Sequence, residues 1–265
     1  MEQDSEVRFI ADLFSAIKQG DLRQVRDILG RIQDINVQGP NGLTPLQQAV
    51  WNDHADIAKL LISRGADVNA YSINGWTALM ASIERGRTDI VMMLLNSGAQ
   101  VNIEDKGGEA TPLMWAAKYG RLEIAKMLLE KGADIRASGR SGQNAILLAA
   151  QVDNVDMVRL LISSGADVNS GDSIINFTPL MWAASNGNSE MAKLLVENGA
   201  KVNAQTRYGQ TALMWASMKG QFHIAEFLIK KHADVKIEDI NGNNASKIAQ
   251  NAHNKNMVNL LVKTG

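Results

Sequence analysis

The chain has 265 residues, 45% of them hydrophobic, and a formal net charge of −1. This composition is typical of a folded globular protein. Lysine and arginine are spread evenly, which excludes the basic stripe that a nucleic acid or an anionic membrane surface would need. The absence of cysteine excludes disulfide bonds, thiolate nucleophiles and cysteine-ligated metals. No apolar run is long enough to span a bilayer, so we expect no membrane insertion.

The first residues, Met1 to Arg8, are polar and acidic and do not resemble a secretory leader. We therefore expect a cytoplasmic protein. A periplasmic or secreted protein whose leader has been removed stays open as the alternative, because a chain without thiol groups tolerates either redox environment.

One pattern recurs along the whole chain at a spacing of 33 or 34 residues. A fixed period of roughly 20–50 residues is typical of repeat architectures. The opening of each repeat has an anchor position, which falls at Leu13, Leu46, Leu79, Leu113, Ile146, Leu180, Leu213 and Ser246. We therefore interpret residues 1–265 as a single array. Its predicted units are approximately residues 6–38, 39–71, 72–104, 105–138, 139–171, 172–205, 206–238 and 239–265.

The residue pattern of each unit predicts two short helices followed by an extended turn. Thr44 and its counterparts suit a helix N-cap, because the hydroxyl oxygen can accept a hydrogen bond from an unpaired backbone N–H. Pro45 then occupies the first helical position, where its missing N–H costs nothing. The second helix, for example residues 57–62, has apolar residues at spacings of three and four. It ends at a glycine such as Gly65, which we expect in the left-handed conformation. His232 occupies the same place in its unit, and we expect it to be strained or differently turned.

The repeat resembles the ankyrin repeat over roughly residues 10 to 265. Its period, its Thr-Pro-Leu opening, its paired alanines and its Gly-Ala-Asp-Val-Asn ending are those of that family. Openings that read Thr-Pro-Leu-Met-Trp-Ala-Ala are similar to those of bacterial ankyrin proteins. The resemblance implies an all-α ankyrin-repeat solenoid of about eight helix-turn-helix units with projecting β-turn loops.

One position departs from the family pattern throughout the chain. The family usually has histidine directly after Thr-Pro-Leu, and we expect apolar packing between units here in place of a polar bridge. The residues at this position are Gln47, Met80, Met114, Leu147, Met181 and Met214.

The first and last units carry polar residues where the inner units are apolar. In the last unit, Ser246 replaces the anchor leucine, Lys247 replaces methionine and His253 replaces a glycine. Terminal units of a repeat array need a polar outer face. We therefore expect polar capping units and a complete array. The second helix of the first unit carries Arg23, Gln24, Arg26 and Asp27.

Helix geometry separates two faces on each first helix, because an α-helix turns about 100° per residue. With Leu113 as the reference, Ala117 falls on the same side of the helix. Trp115, Lys118 and Tyr119 fall on the opposite side and are expected to point outward. The resemblance implies that this outward face lines a concave groove beside the turns.

The predicted partner-binding residues lie on this face or in the turns. Tryptophan and tyrosine are common anchors of protein interfaces. The alternative is that the rings only pack along the neighbouring unit. If the rings are interface anchors, truncating Trp182 and Trp215 should weaken binding more than it destabilises the fold. The predicted residues are Trp51, Tyr71, Trp76, Arg85, Trp115, Lys118, Tyr119, Ile174, Phe177, Trp182, Tyr208, Trp215 and Met218.

Two one-residue insertions lie in turns beside this face, at residues 106–109 and 173–176. Insertions in repeat arrays map to one face, which is often the binding face. The second turn is unusually apolar for a loop, since it carries Ile174 and Ile175 and is followed by Phe177. Two interpretations stay open: the tip contacts a partner, or it folds back on its own array.

No pattern in the chain predicts catalysis, a metal site or a cofactor site. The glycines recur with the repeat and form no phosphate-binding loop. An enzyme using groove residues would need an acid–base pair or a metal, for which there is no motif. We therefore expect no enzymatic activity and no cofactor. The histidines, which lack a metal-ligand spacing, are His54, His223, His232 and His253.

The sequence thus predicts a non-catalytic protein–protein interaction module. We expect it to bind one partner protein through the concave, aromatic-rich groove and the turn tips, to bind no nucleic acid, and to be monomeric when alone. The alternative function is a stoichiometric inhibitor or antidote that covers the active site of a partner enzyme. An activity assay on an identified partner would separate the two.

Overall fold

The computed structural model of the protein describes residues 2–39 and 42–264, with the side chains of residues 8–39 and 42–263. Within these ranges the chain forms 16 helices and no strand beyond a single β-bridge between Ser138 and Asn144. The predicted all-α repeat architecture is confirmed. No helix in the same ranges is both long enough and apolar enough to cross a membrane. The chain groups into two compact units, Met1–Asp134 and Ile135–Gly265.

The first compact unit is built from helix pairs. Consecutive helices pack as hairpins, and first helices pack on first helices as second helices pack on second helices. Each hairpin thereby buries an apolar face that it could not bury alone. The helices are α1 (Glu2–Gln19), α2 (Leu22–Leu29), α3 (Pro45–Trp51), α4 (Ala55–Ser63), α5 (Ala78–Arg85), α6 (Thr88–Asn96), α7 (Pro112–Lys118) and α8 (Leu122–Glu130).

The second compact unit repeats this arrangement, with the same hairpin, first-helix and second-helix contacts. Each predicted repeat range holds one helix pair, although α1 begins before residue 6. The helices are α9 (Ala145–Gln151), α10 (Val155–Ser163), α11 (Pro179–Asn186), α12 (Ser189–Glu197), α13 (Ala212–Lys219), α14 (Phe222–Lys230), α15 (Ala245–Asn251) and α16 (Lys255–Thr264).

The first helices begin as predicted, at a side-chain cap. The hydroxyl oxygen of Thr77 accepts a hydrogen bond from the backbone N–H of Met80. Asn144 caps α9 in the same way where the repeat lacks threonine. A cap of this kind stabilises a helix by roughly 1 kcal/mol, because it satisfies a backbone donor that the helix leaves unpaired. Equivalent caps occur at Thr44, Thr111, Thr178, Thr211 and Asn244.

The glycines of the repeat series that follow the second helices from α4 to α12 are left-handed, as predicted. Gly132 has a φ of 86° and Gly165 a φ of 93°. His232 takes the same place with a φ of 64°, which is a strained conformation for a residue with a side chain. The predicted strain at His232 is therefore confirmed. Its counterparts Gly65, Gly98 and Gly199 are also left-handed.

Apolar packing replaces the family's polar bridge at the methionine positions, as predicted, but not at Gln47. The Gln47 Nε2 group donates hydrogen bonds to the carbonyl oxygens of Ala70, at 2.8 Å, and Trp76, at 2.9 Å. Its Oε1 atom accepts one from the N–H of Thr44. The amide side chain is long enough to reach the next turn, so a polar bridge persists in this unit. The buried methionines are Met80, Met114, Met181 and Met214.

Asparagines that follow a valine at the repeat endings join consecutive repeats, a role that turn chemistry alone does not predict. The Asn69 side-chain oxygen accepts a hydrogen bond from the N–H of Gln100 at 2.8 Å, and its amide donates to the carbonyl of Gly98 at 3.1 Å. Both bonds satisfy backbone groups at the end of the next second helix. The same pair of bonds is made by Asn102, Asn169 and Asn203.

Candidate partner-binding surface

Exposed apolar side chains concentrate on one side of the repeats. Of the 10 large hydrophobic residues exposed among the described side chains, two belong to second helices, Met92 and Val262. The remaining eight are on first helices, at their ends or in the turns before them. We call these positions the first-helix face. Its exposed members are Trp51, Tyr71, Ile73, Val152, Ile174, Tyr208, Met218 and Ile240.

A cleft of about 530 Å³ opens on the first-helix face of the first compact unit. Trp51, at the end of α3, is 43% exposed at its mouth. Trp76 comes from the turn before α5, and Tyr119 follows α7. Glu84 of α5 is the charged residue of the lining. We call this the aromatic cleft, and its remaining lining residues are Leu43, Gln47, Gln48, Ser72, Asn74, Thr77 and Ala81.

Tyr119 and Glu84 meet inside this cleft although 35 positions separate them. The Tyr119 hydroxyl donates a hydrogen bond of 2.9 Å to Oε1 of Glu84. Burial, together with this bond to a carboxylate, raises the pKa of Tyr119 to about 12. The guanidinium Nη2 of Arg121 donates a hydrogen bond of 2.7 Å to the backbone carbonyl of the same glutamate. Tyr119 thus orients the Glu84 carboxylate, and Arg121 anchors the Glu84 backbone.

Trp115 is half-buried and does not line the cleft, so its ring is less exposed than the sequence predicts. Its ring centroid is 4.6 Å from that of Trp76 and 5.6 Å from that of Tyr119. The indole Nε1 atom is buried and has no hydrogen-bond partner in the described part of the chain. The turn that carries Trp76 covers the ring, because each turn packs beside the first helix of the following repeat. Lys118 is exposed, with its ammonium 4.6 Å from the Trp115 ring centroid.

A second cleft adjoins the first and shares Trp51 and Glu84 with it. The guanidinium of Arg87 is bonded to the carboxylates of Asp53 and Asp89. The hydrogen bond from Arg87 keeps the pKa of Asp89 below its usual value, against the opposing effect of burial. The guanidinium of Arg85 lies 5.9 Å from the Trp51 ring centroid. We call this the arginine cleft, lined further by Asp53, Arg85, Arg87 and Arg121.

Tyr71 lies outside both clefts, in the turn before α5. Its ring is partly exposed, while its hydroxyl donates a hydrogen bond of 2.9 Å to the backbone carbonyl of Glu104 in the next turn. The side chain therefore ties two turns together and presents one apolar surface to solvent.

In the second compact unit, Phe177 packs between Trp182 and Trp215. The Phe177 centroid is 4.8 Å from that of Trp182 and 5.0 Å from that of Trp215, both in edge-on arrangements. Phe177 itself is only 6% exposed. The sequence groups it with the exposed turn residues, but its ring fills the space between two tryptophans of adjacent first helices. Both tryptophans are half-buried, and Trp215 Nε1 is buried without a partner in the described ranges.

The turn that holds the second insertion is folded around Asp172, and its apolar residues differ in burial. The buried carboxylate of Asp172 accepts hydrogen bonds from the N–H groups of Ile174, Ile175 and Phe177. This folds the backbone tightly, sends the Phe177 ring inward and leaves Ile174 62% exposed. At the tip of this turn, Phe177 therefore packs on the array, while the Ile174 side chain stays exposed to solvent.

Two further predicted residues extend the exposed apolar surface of this unit. Tyr208, in the turn before α13, is 49% exposed, and its carbonyl accepts a hydrogen bond from the N–H of Ile240 in the next turn. Met218 lies on α13 three residues after Trp215, so both side chains are on one side of the helix. The exposed Met218 side chain and the half-buried Trp215 ring therefore belong to one face of α13.

The clefts also contain residues that the sequence did not single out as binding residues. Gln48 and Asn74 supply amide groups to the aromatic cleft, and Arg87 and Arg121 supply guanidinium groups to the arginine cleft. Asn74 lies in a turn, and Arg87 and Arg121 are at helix N-caps, where the helix-face pattern of a single unit carries no information. Gln48 lies within α3, two residues after Leu46, so the register that singles out Trp115 could have found it. Within the described residues, no group of three or more histidines or acidic residues could hold a metal ion.

Comparison with known families agrees with this architecture. A family model described as "Ankyrin repeats (3 copies)" matches residues 13–105, 74–139, 104–172 and 180–265. A second, described as "Ankyrin repeats (many copies)", matches residues 149–196. No curated protein matches the chain significantly in sequence. The chain therefore belongs to the ankyrin-repeat family, whose repeats form protein–protein interaction modules.

Proposed function

We propose that this array binds one partner protein through its first-helix face, using the aromatic cleft of the first compact unit and the Tyr208–Met218 surface of the second. The observation that carries the proposal is the distribution of exposed apolar side chains within the repeats of each unit, since eight of the ten lie on first helices, at their ends or in the turns before them. Scattered exposed apolar residues are normal on a soluble protein, whereas a concentration on one side is typical of an interaction surface.

The half-buried tryptophans have a supporting role in this proposal. Trp115, Trp182 and Trp215 pack against neighbouring rings, which keeps the first-helix face rigid. Trp51, Tyr208, Met218 and the turn residue Ile174 supply the contact area. Rigid aromatic side chains lose little conformational entropy on binding, which is why they make effective anchors.

Site-specific photo-cross-linking tests the proposal directly. A benzoylphenylalanine residue is placed at Trp51 or Tyr208 on the first-helix face, or at Lys59 or Lys193 on exposed positions of second helices. After irradiation in the native cell, mass spectrometry identifies cross-linked proteins. We expect the same partner from Trp51 and Tyr208 and none from the controls. Cross-linking of that partner only from Lys59 or Lys193 would assign binding to the opposite face.

The inhibitor alternative is a narrower form of the same proposal. It requires the captured partner to be an enzyme whose active site the array covers. Adding the purified array at equal molar amount to that enzyme would abolish its activity if the alternative holds. Unchanged activity at full complex formation would leave a binding module without inhibitory function.

A further inference from the structure

We infer that the aromatic cleft receives a cationic side chain, arginine or lysine, from the partner protein. The inference rests on the proposed function and names the group that the cleft recognises. Its lining combines three aromatic side chains, Trp51, Trp76 and Tyr119, with a single charged group, the carboxylate of Glu84. The faces of aromatic rings attract cations through their quadrupole, and a carboxylate beside them adds a full negative charge.

The Glu84 carboxylate has no cationic partner of its own within the described residues. It takes part in none of the ion pairs found there. Its one side-chain partner is the hydroxyl group of Tyr119, an uncharged donor. Arg121 is bonded to the backbone carbonyl of Glu84, not to the carboxylate. The charge of Glu84 is therefore available to a ligand, and the hydroxyl group of Tyr119 orients the carboxylate.

The neighbouring arginine cleft is a weaker candidate for ligand recognition, because two of its three guanidinium groups, those of Arg87 and Arg121, already hold bonded partners. Arg87 is bonded to Asp53 and Asp89. Arg121 is committed to the Glu84 carbonyl. An acidic partner group would have to compete with these contacts, whereas a cation entering the aromatic cleft displaces none of them. The charge arrangement thus favours a cationic occupant.

The chain itself places cations on rings of this surface. The ammonium of Lys118 lies 4.6 Å from the Trp115 centroid, and the guanidinium of Arg85 lies 5.9 Å from that of Trp51. Both distances are within the roughly 6 Å at which a cation interacts with an aromatic face. A partner side chain in the cleft would extend this pattern to the ring of Trp76.

Four blocked amino acids serve as probes: the N-acetyl methylamides of arginine, lysine, norleucine and glutamate. Each is titrated into the full-length chain at low salt while the indole N–H resonances of Trp51 and Trp76 are followed by NMR. We expect saturable shifts with arginine and lysine and none with norleucine or glutamate. Glu84→Gln, which keeps an acceptor for Tyr119, should weaken arginine binding roughly fivefold. Glu123→Gln removes an exposed carboxylate from α8 and should leave it unchanged.

Trp51→Ala gives a second test, since this exposed ring can be removed with little effect on folding. It should abolish the response of the Trp76 indole to arginine. Equal binding of norleucine would overturn the inference in favour of an apolar slot, and preferential binding of glutamate would overturn it in favour of an anion site. Unchanged arginine binding by Glu84→Gln would also contradict it. Because these titrations need no partner, they can fail while cross-linking through the first-helix face succeeds.

Discussion

The hydroxyl group of Tyr119 donates a hydrogen bond of 2.9 Å to the carboxylate of Glu84, which lies 35 residues earlier in the preceding repeat. This bond crosses from the end of one first helix to another, so it exists only when the two repeats are stacked. Both residues also line the aromatic cleft. Stacking and the geometry of the candidate site are therefore linked at this residue pair.

The raised pKa of Tyr119 predicts a loss of stability in alkali. Its pKa is about 12 in the folded chain against an ordinary value of 10.0. The unfolded chain therefore releases this proton first, and the contribution of Tyr119 to stability, complete below its ordinary pKa, is lost as the pH rises through the folded value. Urea unfolding at several alkaline pH values measures the free energy of unfolding of the parent and of Tyr119→Phe. The excess stability of the parent should shrink as the pH rises from 10.0 to about 12. A constant advantage would contradict the buried hydrogen bond.

The left-handed conformation of Gly165, after α10, predicts that a side chain there destabilises the fold through backbone strain and not through a steric clash. A Cβ atom at Gly165 would meet no atom within 4 Å, while its φ is 93°. Gly165→Val should therefore lower the free energy of unfolding by roughly 1–3 kcal/mol through strain alone. His232→Gly should raise it by up to about 1 kcal/mol, because it relieves the same strain. Chemical denaturation measures both, with Ser164→Val as the control at an ordinary φ.

The three-ring cluster in the second compact unit predicts that its tryptophans matter for folding. The double substitution Trp182→Ala, Trp215→Ala removes both partners of the buried Phe177 ring and should lower the free energy of unfolding by roughly 2–4 kcal/mol. This replaces the expectation from sequence alone that the variant folds normally. Trp51→Ala, at an exposed ring, should change stability by less than about 0.5 kcal/mol. Equal losses for the two variants would remove the distinction between supporting and exposed rings.

Unequal burial predicts that the repeat of α15 and α16 opens before its neighbours. Three of the seven residues of α15 are buried, with Lys247 exposed, whereas α9 buries six of its seven. Local opening is easier where fewer apolar contacts must break. Native-state hydrogen exchange should show faster exchange in residues 245–263 than in residues 147–161. Equal protection of the two segments would refute the weak-packing argument for this repeat.

Much of the local structure could be predicted because each repeat encodes it within one short segment. The threonine caps, the left-handed glycines and the buried alanine face depend only on helix geometry and neighbouring residues. Even the strain at His232 follows from its place in the series. The predicted first-helix face is likewise a property of one helix at a time.

What could not be predicted depends on contacts between repeats. The burial of Trp115 depends on Trp76, which reaches it from the preceding turn. The polar bridge of Gln47 depends on how close the next turn lies. The burial of Phe177 depends on Trp215, which belongs to the first helix of the next repeat. These relationships require the distance between stacked units, which no pattern within a unit contains. The likeness to bacterial proteins, the cytoplasmic location and the monomeric state stay predictions.

The central claim, that the first-helix face binds the partner protein, is tested most directly by affinity. With the cross-linked partner purified, calorimetry compares the parent with Trp51→Ala, Tyr208→Ala and with the control Glu190→Ala, Lys193→Ala, whose residues are exposed on α12. We predict that the first double variant keeps its fold and raises Kd at least about thirtyfold, because interface anchors contribute on the order of 2 kcal/mol each. The control should bind like the parent. A folded Trp51→Ala, Tyr208→Ala variant with parental affinity would contradict the claim.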